Sequence, residues 1–213
     1  VFSMDGDIAP LTDIVALAEL YDAAVMVDDA HGSGVLGGGR GTAYHFGVHQ
    51  KIDVQLGTLS KAVGVMGGYI AGSARLVDWL QQRGRPFLFS TAHPPAVVAA
   101  ILAALDLMER DSSLTDLLWK NTRHWQEGVR RLGFDIGPTQ TPITPIMVGD
   151  EATAQEMQRL LFEERVLGLS VVFPTVPRGK ARVRTMPNAS HTTAELDEAL
   201  AALERVGRSL RLI

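Results

Sequence analysis

Apolar residues recur at helical spacing over several stretches of the chain. The first covers positions 11, 14, 15, 17, 18 and 20, and this spacing places the side chains on one face of a helix. Pro10 precedes that stretch and suits a helix start, because the N–H that proline lacks would be unpaired there. The same pattern predicts further helices at 76–82, 94–110, 114–132, 152–164 and 193–210.

Short apolar runs alternate with these helices and predict strands. The predicted strands are 23–27, 52–56, 68–71, 87–89, 144–148, 169–173 and 181–185. Strands that alternate with helices indicate βαβ units and a mostly parallel sheet, so we predict an α/β fold. We assign residues 1–110 to part of a large domain and residues 111–213 to a smaller α/β domain.

The composition excludes several classes of function. Apolar residues make up 46% and charged residues 21% of the chain, which is typical of a soluble globular protein. The net charge of −4 argues against a nucleic-acid partner, and no apolar run reaches the roughly 18 residues of a membrane span. The absence of cysteine excludes disulfides and thiolate metal sites. We therefore expect a cytoplasmic protein without a metal.

The first candidate chemical group follows the strand predicted at 23–27. Asp28 and His31 lie at its carboxyl end, where open α/β sheets bind their ligands. A carboxylate buried there needs a cationic or hydrogen-bonding partner, and a protonated pyridine nitrogen would serve. His31 could reach a phenolic oxygen nearby. Alternatively, Asp28 caps a turn and His31 is an ordinary loop histidine.

A second group follows the strand predicted at 52–56. Residues 57–61 contain the hydroxyls of Thr58 and Ser60 and the amine of Lys61. An unprotonated lysine amine is a nucleophile that forms imines, and the two hydroxyls could bind a phosphate. The stretch lacks the glycine spacing of a P-loop. The alternative is an exposed loop lysine, the most common environment of lysine.

A third group lies near the carboxyl end of the chain. Arg182 and Arg184 alternate with Val183, so in a strand the two arginines share one face and Val183 takes the other. The planar guanidinium of arginine suits bidentate binding of a carboxylate. The alternative is a surface strand with two solvated arginines.

Taken together, these groups resemble one family. Their order and spacing, with residues 3–7 before them and 174–177 before the arginines, are similar to those of the α-oxoamine synthases, which are fold-type I pyridoxal-phosphate enzymes. Members condense an amino acid with an acyl-CoA and release CoA, with or without loss of CO2. The resemblance covers the whole chain and implies a pyridoxal 5'-phosphate cofactor and a fold-type I transferase architecture.

The resemblance implies a role for each candidate at the cofactor ring. Lys61 would form the Schiff base with the cofactor and act as general acid and base at the substrate α-carbon. Asp28 would pair with the pyridine nitrogen and keep it protonated. His31 and Ser3 would contact the phenolic oxygen. Lys61, His31 and Asp28 are therefore the predicted catalytic residues.

Four hydroxyl-bearing residues are implied at the cofactor phosphate. Thr58 and Ser60 would bind it from the lysine loop. Ser90 and Thr91 resemble the pair that reaches the phosphate from the neighbouring subunit. The resemblance thus implies a homodimer with a shared active site.

Substrate binding is implied for Arg184, which would hold the amino acid carboxylate, and for Thr175. Residues 79–90 favour a member that condenses glycine with acetyl-CoA to give 2-amino-3-oxobutanoate. Residues 3–7 and 174–177 suit the alternative, a member of biotin synthesis that condenses L-alanine with pimeloyl-CoA.

Two rival hypotheses remain open. An aminotransferase of the same fold type would share the roles of Asp28 and Lys61 without requiring CoA. A non-catalytic fragment, completed by an N-terminal partner, is the non-enzyme alternative, because family members carry a longer N-terminal part with an aromatic residue that stacks on the cofactor. The chain begins at Val1 without a methionine, so we expect that an upstream segment has been removed or that another chain carries it.

Overall fold

The computed structural model describes residues 1–213 and divides into two compact units. Unit 1 comprises Val1 and Ala9–Ser112, and unit 2 comprises Phe2–Ile8 and Ser113–Ile213. The sequence-based boundary between residues 110 and 111 did not assign the N-terminal segment Phe2–Ile8, called the strap below, to the second unit.

Unit 1 contains a three-stranded mixed sheet. Its strands are β1 (Met26–Asp28), β2 (Val54–Thr58) and β3 (Gly68–Gly72), in that spatial order. β1 pairs in parallel with β2, whereas β3 pairs antiparallel with β2. The parallel pair follows from the long crossover between β1 and β2, and the antiparallel pair from the short loop that joins β2 to β3.

Five helices accompany this sheet, together with a 3-10 turn at His49–Lys51. They are α1 (Leu11–Leu20), α2 (Thr42–His45), α3 (Ala74–Arg83), α4 (Arg85–Leu88) and α5 (Pro95–Arg110). The strand predicted at 87–89 is wrong, because the segment forms the short helix α4 and its end. Pro86 lies in the first turn of α4, where its fixed φ favours a helix, and Phe89 N–H donates to the Arg85 carbonyl at 3.0 Å.

Unit 2 is a three-stranded antiparallel sheet with three helices. The strands β4 (Thr144–Gly149), β5 (Leu169–Val171) and β6 (Ala181–Thr185) have the order β4-β6-β5. The helices are α6 (Ser113–Arg131), α7 (Glu151–Glu163) and α8 (Thr193–Ser209). All six elements were predicted from the sequence. Their apolar faces form one buried core that includes Trp125, Ile146, Met157, Val183 and Leu203.

The strap is anchored to unit 2 through Gly6. Its carbonyl accepts a hydrogen bond of 2.8 Å from the Thr141 hydroxyl, and Gln140 N–H donates to the same carbonyl at 3.0 Å. Gly6 has a φ of +75°, and a Cβ there would lie 2.4 Å from the Ile143 carbonyl oxygen. Only glycine fits both the backbone conformation and the close approach.

Candidate active site

Two candidate site residues lie at the carboxyl ends of neighbouring parallel strands. Asp28 is the last residue of β1 and pairs with Leu56, so Thr58 at the end of β2 lies two residues beyond that pair. Parallel strands lie about 4.8 Å apart and paired side chains point to the same face. Asp28 and Thr58 therefore share one face at the edge where α/β sheets bind ligands.

The loop after β2 holds the phosphate candidates and the lysine. The hydroxyls of Thr58 and Ser60 share a hydrogen bond of 2.8 Å. Leu59 closes the loop, because its N–H donates to the Gly67 carbonyl at 2.9 Å and its carbonyl accepts from Val65 N–H at 2.8 Å. Lys61 lies at the exposed part of this closed loop. The loop thus presents an amine beside two hydroxyls that already face each other.

Asp28 and Asp29, the two acids at the carboxyl end of β1, lie in different environments. Asp28 is exposed, and its Oδ1 accepts from Ala30 N–H at 3.0 Å. One of its carboxyl oxygens therefore caps the turn, as the alternative interpretation expected. The buried carboxylate at this edge belongs to Asp29, which is 0% exposed. His31 is half-buried at the end of the same turn.

Asp29 and Thr42 form a contact that the sequence did not reveal. Asp29 Oδ2 accepts from Thr42 N–H at 2.8 Å, and Oδ1 accepts from the Thr42 hydroxyl at 2.5 Å. A second contact joins the hydroxyls of Ser33 and Tyr69 at 3.0 Å. The Tyr69 ring lies over Gly57, where a Cβ would come within 2.4 Å of it. Neither contact follows a helical or strand spacing, so no periodic signal pointed to it.

Of the two candidate arginines on β6, Arg182 is buried and Arg184 is half-buried, so the alternative of two solvated arginines is wrong. Val183 is part of the buried core, and the arginines lie on the other face of β6, as predicted. Arg182 is only 4% exposed; it forms an ion pair with Asp5 of the strap and donates to the Lys180 carbonyl. The contact with Asp5 was not predicted from the sequence.

Arg184 combines an anchored end with an unused donor. Its Nη1 donates to the Ser3 carbonyl of the strap at 2.8 Å. Its Nε is buried and has no hydrogen-bond acceptor within the chain. A buried donor without an acceptor is costly, so this guanidinium is suited to an added carboxylate. The structure thus brings Ser3 and Arg184, two predicted site residues, into contact.

The remaining predicted residues lie on exposed loops. Ser90 and Thr91 follow α4 in unit 1, and both are exposed. Thr175 in unit 2 is exposed as well, and its N–H donates to the Val172 carbonyl at 2.9 Å. Nothing within either unit brings these three residues to the other candidates.

The structure has neither a candidate metal-binding cluster nor a helix suited to span a membrane. It contains no cluster of three or more histidine, aspartate or glutamate side chains that could hold a metal ion. None of its helices combines the length and apolar character needed to cross a membrane.

Comparison with known proteins identifies relatives of the whole chain. Residues 1–203 match the family of class I and II aminotransferases. An 8-amino-7-oxononanoate synthase of Symbiobacterium thermophilum is 58% identical over 100% of this chain and 55% of its own length. One of Thermoanaerobacter pseudethanolicus is 56% identical over 100% of this chain and 54% of its own length. This chain therefore spans about half the length of these relatives.

A solved structure gives the same result for the fold. The serine palmitoyltransferase of S. paucimobilis, solved with a bound PLP–myriocin aldimine, superposes with a TM-score of 0.95 and 31% identity. The match covers 100% of this chain and 54% of that one. The fold-type I architecture predicted from the sequence is thereby confirmed. The chain belongs to the class I and II aminotransferase family and, within it, to the α-oxoamine synthases.

Proposed function

We propose that the protein is a pyridoxal-phosphate-dependent synthase that condenses L-alanine with pimeloyl-CoA to give 8-amino-7-oxononanoate, CoA and CO2. The relatives that carry this name are 58% and 56% identical to the chain. Since the chain spans about half their length, it would supply the lysine and carboxylate-binding part of the active site.

The observation that carries the proposal is the arrangement at the carboxyl ends of β1 and β2. An acid, two paired hydroxyls and an amine lie on two adjacent parallel strands and the loop that follows them. These groups match what pyridoxal phosphate offers, namely a basic ring nitrogen, a phosphate and an aldehyde. The exposed carboxylate of Asp28 and the exposed amine of Lys61 are both accessible to such a ligand, so the residues fit the cofactor.

Each residue near the reacting atoms then has a task. Bound pyridoxal phosphate would supply an electron sink for the pair of electrons left at the substrate α-carbon. Asp28 holds a proton on the ring nitrogen through a charge-assisted hydrogen bond. Lys61 removes and returns the proton at the α-carbon. Arg184 orients the amino acid by its carboxylate, to which the unused Nε–H would donate.

The hydroxyl-bearing candidates serve binding rather than proton transfer. Thr58 and Ser60 donate to the phosphate, and Ser90 and Thr91 do so from a second subunit. His31 and Ser3 contact the phenolic oxygen, and Thr175 lines the substrate site. In this proposal the active form is a homodimer.

Glycine C-acetyltransferase, the member that residues 79–90 favoured, is less well supported. Three relatives that share more than half of their aligned residues with this chain carry the name 8-amino-7-oxononanoate synthase, and no observation within either unit distinguishes an acetyl from a pimeloyl donor. The glycine and acetyl-CoA reaction is therefore retained as the competing arm of the test.

The test measures cofactor binding and substrate choice in one preparation of the full-length protein. Visible absorbance is recorded with pyridoxal phosphate, before and after L-alanine or glycine. CoA release is then followed with a thiol reagent, using pimeloyl-CoA or acetyl-CoA. We expect a visible band that changes with L-alanine, and CoA release about 100-fold faster from pimeloyl-CoA, because the long acyl chain buries several more methylene groups.

Two lysine variants make the test specific. Lys61→Ala is expected to lose the visible band that the parent shows before amino acid is added, and to reduce turnover by at least about a thousandfold. Lys51→Ala removes a half-exposed lysine of the same unit that pairs with Glu19 at 2.8 Å, and it should behave like the parent. Full turnover in Lys61→Ala would disprove the assignment of roles, and faster release from acetyl-CoA with glycine would select the competing reaction. The 213-residue chain alone is expected to be inactive.

A further inference from the structure

We propose that Asp29 is a positioning residue, whose buried carboxylate, held by Thr42, fixes the turn that presents Asp28 and His31 to the cofactor. The inference rests on the proposed roles of Asp28 and His31. Asp29 and Thr42 themselves touch neither substrate nor cofactor in this proposal.

Burial and hydrogen bonding single out this pair. Asp29 is 0% and Thr42 is 2% exposed, and both carboxyl oxygens of Asp29 accept from Thr42, at 2.8 and 2.5 Å. A buried carboxylate is tolerated only when hydrogen bonds replace its hydration, and bonds to an ionised acceptor are the stronger kind. The contact thus fastens the residue after β1 to the start of α2.

The backbone of Asp29 extends the same anchor in two directions. Its N–H donates to the Leu56 carbonyl at 2.8 Å, which ties it to β2. Its carbonyl accepts from Gly32 N–H at 3.1 Å and from Ser33 N–H at 3.0 Å, which closes the turn around His31. Movement of the Asp29 side chain would therefore shift residues on both sides of it.

Two glycines pack directly against the carboxylate. A Cβ on Gly32 would lie 2.0 Å from Asp29 Oδ1 and 2.3 Å from the Thr42 hydroxyl. A Cβ on Gly41 would lie 2.1 Å from Asp29 Oδ2. Since backbone encloses the carboxylate on both sides, a water molecule has no room to replace a lost donor. Loss of the Thr42 hydroxyl must then be accommodated by movement of the turn.

The experiment compares Thr42→Val, Thr42→Ser and Asp53→Asn in the full-length protein. Valine has nearly the shape of threonine without the hydroxyl, and serine restores it. Asp29→Ala is less informative, because it leaves two buried donors unpaired and destabilises the whole unit. Asp53 is the matched control, since its Oδ2 accepts from Val25 N–H at 2.8 Å, just before the opposite end of β1.

Three readouts separate positioning from stability. They are the pH titration of the visible band of bound pyridoxal phosphate, the Kd for pyridoxal phosphate, and hydrogen exchange of residues 29–34 in the cofactor-free protein. For Thr42→Val we expect a shift of the titration midpoint by roughly half a pH unit, about tenfold weaker binding and faster exchange. Thr42→Ser should restore all three, and Asp53→Asn should lower Tm alone.

The outcomes distinguish this inference from the proposed function. If the parent binds pyridoxal phosphate but Thr42→Val changes neither midpoint nor Kd beyond Asp53→Asn, the positioning role is wrong and the proposed function stands. If the parent itself develops no visible band, the proposed function fails, and the inference that rests on it fails too. A midpoint shift in Thr42→Val that Thr42→Ser reverses supports both.

Discussion

Units 1 and 2 are of similar length but differ in how completely they bury their apolar residues. In unit 2, the fully buried side chains come from helices and strands alike and include Ile146, Met157 and Leu203. In unit 1, the core cluster lies near α1 and β1, around Leu11 and Val25. Helices α3 and α5 and the strand β3 have no buried residue.

Within this chain, the larger buried core and the proposed cofactor-binding groups at the end of β2 lie in different units. The buried apolar area that stabilises a fold is concentrated in unit 2. The amine and hydroxyls of the proposed cofactor site lie at the end of β2 and on the loop that follows it in unit 1, beside the strand β3, which is exposed along its whole length. Four sets of variants test this contrast and the packing within unit 2.

The largest effect is expected from matched leucine truncations in the two units. Leu203→Ala removes a side chain that is 0% exposed in unit 2, and should lower the free energy of unfolding by about 4 kcal/mol through lost burial and the cavity. Leu102→Ala on α5 removes a side chain that is 60% exposed, and should cost less than about 0.5 kcal/mol. Urea unfolding followed by far-UV circular dichroism measures both. Equal losses would mean that α5 is packed in solution.

The next largest loss of stability is expected from a substitution at Gly6, which tests how tightly the strap packs within unit 2. Gly6→Ala places a Cβ 2.4 Å from the Ile143 carbonyl at a φ of +75°, so it combines backbone strain with overpacking and should cost about 2–3 kcal/mol. Gly137→Ala is the control, because its φ is +60° but no atom lies within 4 Å of the added Cβ. It should cost only about 1 kcal/mol, as judged by thermal unfolding. Similar costs would show that the strap detaches readily.

The sequence predicted most elements because their signals are local. The helix at 11–20 and the strand at 181–185 have the predicted bounds, since a face of regular spacing can be read directly from neighbouring residues. The strand predicted at 87–89 was wrong because three consecutive apolar residues do not distinguish a strand from a short helix. Nothing in those three residues encodes the effect of Pro86.

The sequence placed candidate residues at the sheet edge where each of them stands at or just after the end of a predicted strand. Asp28 and Thr58 end β1 and β2, and Lys61 follows β2, so their place at the sheet edge could be inferred. Asp29 contacts Thr42 across 13 residues, and Asp5 contacts Arg182 across 177 residues. Such contacts depend on the tertiary fold, and no local sequence pattern around either residue predicts its partner.

A smaller effect is expected from the ion pair between Asp5 and Arg182. Asp5→Asn leaves a guanidinium whose side chain is 5% exposed without its carboxylate. Because Asp5 itself is 40% exposed and Arg182 also donates to the Lys180 carbonyl, we expect a cost of about 1–2 kcal/mol, less than for a fully buried pair. Glu19→Gln breaks the exposed pair with Lys51 in unit 1 and should change stability by less than about 0.5 kcal/mol.

Ionic strength should affect the contributions of these two ion pairs to stability differently. Raising ionic strength screens exposed charges and acts weakly on buried ones. The difference in Tm between Asp5→Asn and the parent should therefore persist in 0.5 M salt, a concentration of roughly three times physiological ionic strength. Loss of the difference in salt would place Arg182 in contact with solvent.

The smallest expected effect is the loss of stability at low pH that arises from carboxylates at the first residues of helices in unit 2. Hydrogen bonds from the backbone N–H and then the hydroxyl of Thr192 lower the pKa of Glu195 from its ordinary 4.5. At the start of α7, bonds from the Thr153 hydroxyl and then its N–H lower the pKa of Asp150 from its ordinary 3.8. The Ser73 cap of α3 in unit 1 is a neutral hydroxyl and contributes no such pH dependence.

The sign follows from the lowered pKa. A carboxyl group with a lower pKa in the folded than in the unfolded chain stabilises the fold above its unfolded pKa, and this stabilisation is lost as the pH falls through the folded pKa. Glu195→Gln keeps the capping geometry, because glutamine can still accept from Thr192, but has no proton to bind. Its unfolding midpoint in urea should therefore fall less than that of the parent between about pH 6 and 3. Adding Asp150→Asn to Glu195→Gln should reduce the dependence of the unfolding midpoint on pH further, because the two helix starts are separate sites. If the double variant loses as much stability below pH 6 as the parent, other groups cause the response to acid.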